Sequence, residues 1–139
     1  MAFETEESLD EFISAFEAGT WPAAEWKHAH HLVMAACYVM KYGRDQALNR
    51  ARSNIAAYNE AQGGRNTEDS GYHETLTVFW IDAVTRALPS GKSRLEATRH
   101  IIETFAPQRD LWREFYSFDV VKSREARKVY VAPDLSPDT

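Results

Sequence analysis

The sequence has a single cysteine, few helix-breaking residues and no long apolar run. Cys37 has no second cysteine to pair with, so an internal disulfide is excluded and a reducing, cytoplasmic setting is the simplest expectation. No apolar stretch approaches the roughly 20 residues that span a bilayer. The acidic start, Met1 to Glu7, lacks the basic and apolar segments of a signal peptide. We therefore expect a cytoplasmic protein with no membrane partner.

Positive charge is also in deficit. Lysine and arginine number 16 against 21 aspartates and glutamates, which gives a formal net charge of -5. A mildly acidic chain argues against nucleic acid as the main partner. The chain has 139 residues, which is the usual size of one domain and is enough to bury a core. We expect one domain over residues 1–139, and the oligomeric state stays open.

The spacing of apolar residues predicts helices. Leu9, Phe12 and Phe16 lie at the intervals of an amphipathic helix. Similar spacing recurs in four later segments, at about residues 22–42, 44–61, 72–88 and 93–105. The polar, glycine-rich residues 62–71 predict a loop, short helices are expected after Asp110 and at Ser123, and the tail from Val131 through Pro137 is expected to be extended. These patterns predict an all-α, single-domain bundle of about five main helices with an irregular C-terminal segment.

Histidines are concentrated in two places. Three lie in the run 26–31, and His73 follows about forty residues later, next to Glu74. If the segment after Pro22 is a helix, His28 and His31 lie on one face, one turn apart, with Glu25 one turn before them. Histidine is the side chain most often used for proton transfer near neutral pH and for binding metals. The two other histidines, His30 and His100, are expected to face solvent.

A divalent metal bound by His28, His31 and His73 is the main hypothesis for these histidines. Zinc and iron sites need several imidazoles or carboxylates that converge on one point, and an i, i+3 pair on a helix supplies two of them. Imidazole ligands suit zinc, iron, nickel or copper. Glu74 is the candidate catalytic base, and Glu25 and Glu74 are candidate fourth ligands. The alternative is that these imidazoles are interior groups that form hydrogen bonds with polar neighbours.

Polar residues also surround His73. We expect the loop before it to form one wall of a pocket, with Thr67 and Tyr72 as substrate-binding residues. The alternative is a solvated loop in which Thr67 or Ser70 caps the following helix.

The motifs around the histidines resemble those of a family of short uncharacterised bacterial proteins. That family carries a W-x-H-x-x-H-L segment, a G-Y-H-x-T segment and a tail motif. The corresponding segments here are residues 26–32, 71–75 and 131–135. The resemblance implies that His28, His31 and His73 are the family's histidines and that Lys27 stands where the family has threonine. It implies no particular reaction.

The leading hypothesis is a small-molecule enzyme with a histidine-rich pocket that contains a divalent metal. One alternative is a metal-free enzyme in which a histidine and a glutamate act as acid and base. Another is a non-catalytic module that binds or senses a ligand. The reaction, the substrate and the identity of the metal stay open.

Overall fold

A computed structural model describes residues 3–136 of the chain, in which six α-helices and no β-strand are found. The helices are α1 (Glu6–Glu17), α2 (His28–Tyr42), α3 (Arg44–Ala61), α4 (Glu74–Ala87), α5 (Arg94–Phe105) and α6 (Arg124–Lys128). Short 3-10 helices lie at Ala23–Glu25, Ala106–Gln108 and Leu111–Glu114. The prediction of an all-α bundle with five main helices and a less regular C-terminal segment is confirmed. Pro137, in the predicted extended tail, lies outside the described residues.

Helix α2 lies at the centre of the bundle. It packs against α3, α4 and α5, and its residues from Leu32 to Tyr38 are all buried. The sequence predicts this position because the helix is apolar on nearly every side after His31. None of the helices within residues 3–136 has both the length and the apolar character that crossing a membrane requires.

Helix α1 covers the start of α2 with aromatic side chains. Thr5 caps α1 by accepting a hydrogen bond from the Ser8 backbone N–H at 3.0 Å. Phe12 and Phe16, on its apolar stripe, are fully buried. The Phe16 ring stacks on Trp26 with 4.8 Å between ring centroids. The residues just before α2 are therefore held by packing against α1.

Helix α2 begins later than its apolar pattern predicts. Pro22 is followed by the 3-10 turn Ala23–Glu25, and Lys27 is extended with φ −110° and ψ 173°. The regular helix starts only at His28. Glu25 therefore belongs to a separate turn and does not continue the face of α2 that carries His28, so that part of the prediction is wrong. Trp26, which packs on Phe12 and Phe16, lies in this non-helical stretch, and its aromatic contacts outweigh the local preference for a continuous helix.

A second, smaller core joins the C-terminal segment to α4. Phe79 on α4 packs with buried residues that come later in the chain, which are Trp112, Tyr116, Val120 and Ala126. Helix α6 lies where the sequence predicts a short helix at Ser123. The Ser123 side chain caps it by accepting a hydrogen bond from the backbone N–H of Ala126. The irregular segment is thus fixed by its own apolar contacts.

Candidate functional site

Two histidines on the first turn of α2 are each bonded to a main-chain carbonyl. His28 Nε2 lies 3.0 Å from the oxygen of Phe105, and His31 Nδ1 lies 2.9 Å from the oxygen of Lys27. A carbonyl oxygen only accepts hydrogen bonds, so both ring nitrogens must carry the proton. In the neutral form, the other nitrogen of each ring, Nδ1 of His28 and Nε2 of His31, keeps a lone pair.

Both imidazoles lie in surroundings that favour the neutral form. Burial lowers the pKa of His31 to about 4 and also lowers the pKa of His28. The first turn of α2 contains no acidic residue to offset the positive end of the helix dipole. Aromatic rings flank the pair, because Trp26 lies 3.8 Å from the His31 ring and Trp80 lies 4.8 Å from the His28 ring, between centroids. At neutral pH both imidazoles are therefore neutral, and each has one ring nitrogen with a lone pair and lies beside the indole ring of a tryptophan.

His30 does not face solvent, so that prediction is wrong. Its ring contacts Phe12 at 5.5 Å and Trp21 at 5.4 Å between centroids, and burial lowers its pKa. Its Nδ1 atom is buried and has no hydrogen-bond partner among the described residues. The aromatic side chains of α1 and of the following turn wrap this side of α2, which covers a position that helical spacing alone leaves outside. His100 is exposed, as expected.

His73 points inward, as predicted, but both of its ring nitrogens are used by the fold. It is the N-cap of α4, and its Nδ1 accepts a hydrogen bond from the backbone N–H of Leu76 at 3.2 Å. Its Nε2 donates to the oxygen of Val120 at 2.8 Å. Its side chain is 8% exposed. No lone pair of His73 is left for a metal.

The structure does not join His73 to the pair on α2 as a third ligand. Within residues 3–136, no three histidine, cysteine, aspartate or glutamate side chains are grouped so that they could hold a metal ion. The predicted ligand set His28, His31 and His73 is corrected for a physical reason. The lone pair of His73 caps α4, whereas the lone pairs of the other two rings have no such partner.

Glu74, the predicted catalytic base, is held by two neighbours. The Arg52 guanidinium contacts both of its oxygens, with Nη2 to Oε2 at 2.6 Å, and the Tyr72 hydroxyl donates to Oε1 at 2.6 Å. Burial raises the pKa of this carboxyl, but the hydrogen bonds from Arg52 and Tyr72 outweigh it, so the net pKa is lowered. A carboxylate stabilised in this way is a weak base, which argues against the role predicted for it.

The loop before α4 does form one wall of a cleft. The cleft has a volume of about 360 Å³ and is lined by Asn66, Thr67, Glu68, Tyr72, Arg127 and Lys128. Both predicted substrate-binding residues are among these. The Thr67 hydroxyl, however, accepts hydrogen bonds from the backbone N–H groups of Asp69 and Ser70, and Tyr72 donates to Glu74. Their polar groups thus stabilise the loop itself, and the cleft contains no histidine.

Two features of the molecule were missed by the sequence analysis. One is Arg52, which binds Glu74 across two helices, a contact for which the sequence has no local signal. A further cavity of about 450 Å³, between α1, α2 and α5, was not expected at all. Both features join residues from separate helices, and the spacing within one helix does not reveal them.

Comparisons with protein-family models, with curated proteins and with solved structures found no match to this chain. The motif resemblance therefore stays a prediction. Function has to be inferred from the residues and their geometry.

Proposed function

We propose that His28 and His31 form a two-ligand site for a divalent transition metal and that the protein acts there on a small molecule. The observation that carries this proposal is the matched pair of ring-to-carbonyl hydrogen bonds, to Phe105 and to Lys27. Histidines that bind metals generally donate their other ring N–H to a carbonyl or carboxylate, which fixes the tautomer and the ring orientation. Both rings have this arrangement, one helical turn apart.

The hydrogen bonds of the other candidate residues favour the same two histidines. The polar atoms of Thr67 and Tyr72 are bonded within the protein, and so are the oxygens of Glu74 and both nitrogens of His73. Of the three histidines predicted as metal ligands, only His28 and His31 keep a ring-nitrogen lone pair without a hydrogen-bond partner in residues 3–136.

A metal site with only two histidine ligands fits a catalytic metal better than a structural one. Structural zinc sites use four protein ligands, whereas catalytic sites leave at least one position for water or substrate. A metal held by two imidazoles would supply a Lewis acid and a more acidic bound water. The indole rings of Trp26 and Trp80 lie against the two imidazoles and would restrict the shape of a bound molecule. Imidazole ligands alone do not choose among zinc, iron, nickel and copper.

The metal-free acid–base alternative has weaker support. A general base works best when its pKa lies near the working pH. The pKa of His31, at about 4, is well below neutrality, and the pKa of Glu74 is also lowered. Neither group is tuned to accept a proton at neutral pH.

The test is metal binding by the intact protein without a histidine tag. Isothermal titration with Zn²⁺, and separately with Ni²⁺, should give one ion per chain. Substituting His28→Ala or His31→Ala should weaken binding at least about tenfold, since even the loss of a group that only orients a metal ligand has an effect of this order. Nitrogen NMR should show metal-induced shifts at Nδ1 of His28 and Nε2 of His31.

His100→Ala is the matched control, because His100 is an exposed histidine on another helix. It should bind metal like the unmodified protein. The proposal would be overturned if the unmodified protein bound no metal. It would also be overturned if the His28→Ala and His31→Ala variants bound metal as tightly as the unmodified protein.

A further inference from the structure

A cavity of about 450 Å³ opens between α1, α2 and α5, and no histidine lines it. Apolar side chains of Ile13, Cys37 and Met40 form part of its wall. The cavity also contains four charged groups of two signs. The acidic ones, Asp10 and Glu17, are on α1, and the basic ones, Lys41 and Arg94, are on α2 and α5.

Of the four charged groups at this cavity, two form an ion pair with each other and two do not. Arg94 binds Asp10 at 2.9 Å and also binds Glu6. Lys41 forms no ion pair within 4.0 Å with any carboxylate in residues 3–136, and Glu17 forms none with any cation there. The cavity therefore presents one cation and one anion that the fold leaves without an ionic partner.

The Glu17 carboxylate is held in place by a buried tyrosine. The Tyr38 hydroxyl donates to Glu17 Oε2 at 2.5 Å, and Asn54 on α3 donates to the same hydroxyl at 2.8 Å. The Tyr38 side chain is 2% exposed. Burial, together with Glu17, raises the pKa of Tyr38, so the hydroxyl stays a donor. One acid at the cavity is thus positioned by residues of two other helices, α2 and α3.

We propose that this cavity binds a small zwitterion, a molecule with one ammonium group, one carboxylate and an apolar body, such as a free aliphatic amino acid. Its ammonium group binds Glu17, its carboxylate binds Lys41, and its apolar part packs on Ile13 and Met40. The volume lies within the roughly 300–1,000 Å³ range of small-molecule sites. A ligand with only one charge leaves either Glu17 or Lys41 without a partner.

Cys37 does not give this cavity a reactive group. It is 5% exposed, and burial raises the pKa of its thiol to about 11. The thiolate, which is the reactive form, is therefore scarce at neutral pH. Binding in this cavity uses no residue of the histidine site, so each of the two proposals can be rejected without affecting the other.

The experiment measures binding of L-leucine to the intact protein by titration calorimetry, next to two compounds that each lack one charge. Isoamylamine is leucine without the carboxylate, and 4-methylpentanoate is leucine without the ammonium group. A second zwitterion, 6-aminohexanoate, places the two charges further apart. At least one zwitterion should bind about tenfold or more tightly than both single-charge compounds, as expected for one additional charged hydrogen bond.

Two variants locate the site. Lys41→Met and Glu17→Gln should each weaken binding of the zwitterion about tenfold or more. Lys41→Met should leave binding of isoamylamine nearly unchanged, because the amine uses Glu17. Glu17→Gln should leave binding of 4-methylpentanoate nearly unchanged, because the acid uses Lys41. Lys41 is exposed, so Lys41→Met tests the site without disturbing the core. Lys122→Met and Glu11→Gln are the matched controls, because both residues are exposed and neither lines the cavity.

Three results would overturn the proposal. The first is that neither zwitterion binds, and the second is that the amine or the acid alone binds as tightly as the zwitterion. The third is that the Lys41→Met variant binds the zwitterion like the unmodified protein.

Discussion

The Nε2 atom of His73 donates a 2.8 Å hydrogen bond to the carbonyl oxygen of Val120, which lies 47 residues further along the chain. The same ring caps the start of α4 through Nδ1. Val120 is fully buried in the smaller core with Trp112. One imidazole therefore joins the first turn of α4 to the C-terminal segment. In the sequence, an inward histidine next to a glutamate suggests a functional site. In the structure, this histidine links two segments of the fold.

Replacing His73 should destabilise the protein. His73→Ala removes the helix cap and leaves the Val120 carbonyl without a partner, which together should lower the free energy of unfolding by about 2–4 kcal/mol. His73→Asn should lose less, because asparagine can still cap α4. Denaturant unfolding measures both, with His100→Ala as the exposed control. A loss below about 0.5 kcal/mol for His73→Ala, the range of ordinary surface changes, would contradict this structural role.

The same residue should make stability depend on pH. Burial lowers the pKa of His73 below its ordinary value of 6.5, and the bond to Val120 offsets this only in part. The unfolded chain then binds the proton more readily, so the contribution of His73 is complete above pH 6.5 and is lost as the pH falls from there toward the lower pKa of the folded state. The stability difference between the unmodified protein and His73→Asn should shrink between pH 7.5 and 5, as followed by urea unfolding. A difference that grows at acidic pH would mean that the pKa is raised.

Thr75 should hold the last described segment onto α4. Its buried hydroxyl donates to the oxygen of Val129 and accepts from the N–H of Val131, both at 3.0 Å. Thr75→Val keeps the shape but removes both bonds, which should lower the free energy of unfolding by about 1–3 kcal/mol. Amide hydrogen exchange at Val131 should become faster. Thr85→Val is the control, because its hydroxyl bonds only within its own helix, and equal exchange in the two variants would show that Thr75 does not hold the segment.

The fold could be predicted from the sequence because its helices follow from local patterns. Apolar spacing identifies the buried faces of α1 and α5, and short polar residues mark their starts. Thr5 and Ser93 cap these two helices, each by accepting a hydrogen bond from a backbone N–H three residues later. The starts of α2 and α4 were placed too early, at residues 22 and 72. Packing of Trp26 delays α2, and the His73 cap sets the start of α4.

The candidate site could be predicted only in part from the sequence. The pairing of His28 with His31 follows from their spacing on one helix, and both do start α2. The orientation of His30 and the partners of Glu74 depend on residues from other helices, which are Phe12 and Trp21 in one case and Arg52 in the other. Spacing within a helix specifies which residues share a face, but it does not specify what covers that face.

The sequence by itself determined the all-α fold, the central position of α2 and the shared turn of His28 and His31, because helix periodicity and caps are local properties. Only the tertiary structure decided which side-chain atoms stay available for function. It bonded His73 to Val120 and Glu74 to Arg52. Within residues 3–136 it left lone pairs on His28 and His31, and it left Glu17 and Lys41 without an ion pair. The physical reason is that a hydrogen bond depends on which groups meet, and in this protein the partners of the candidate residues come from segments far apart in the chain.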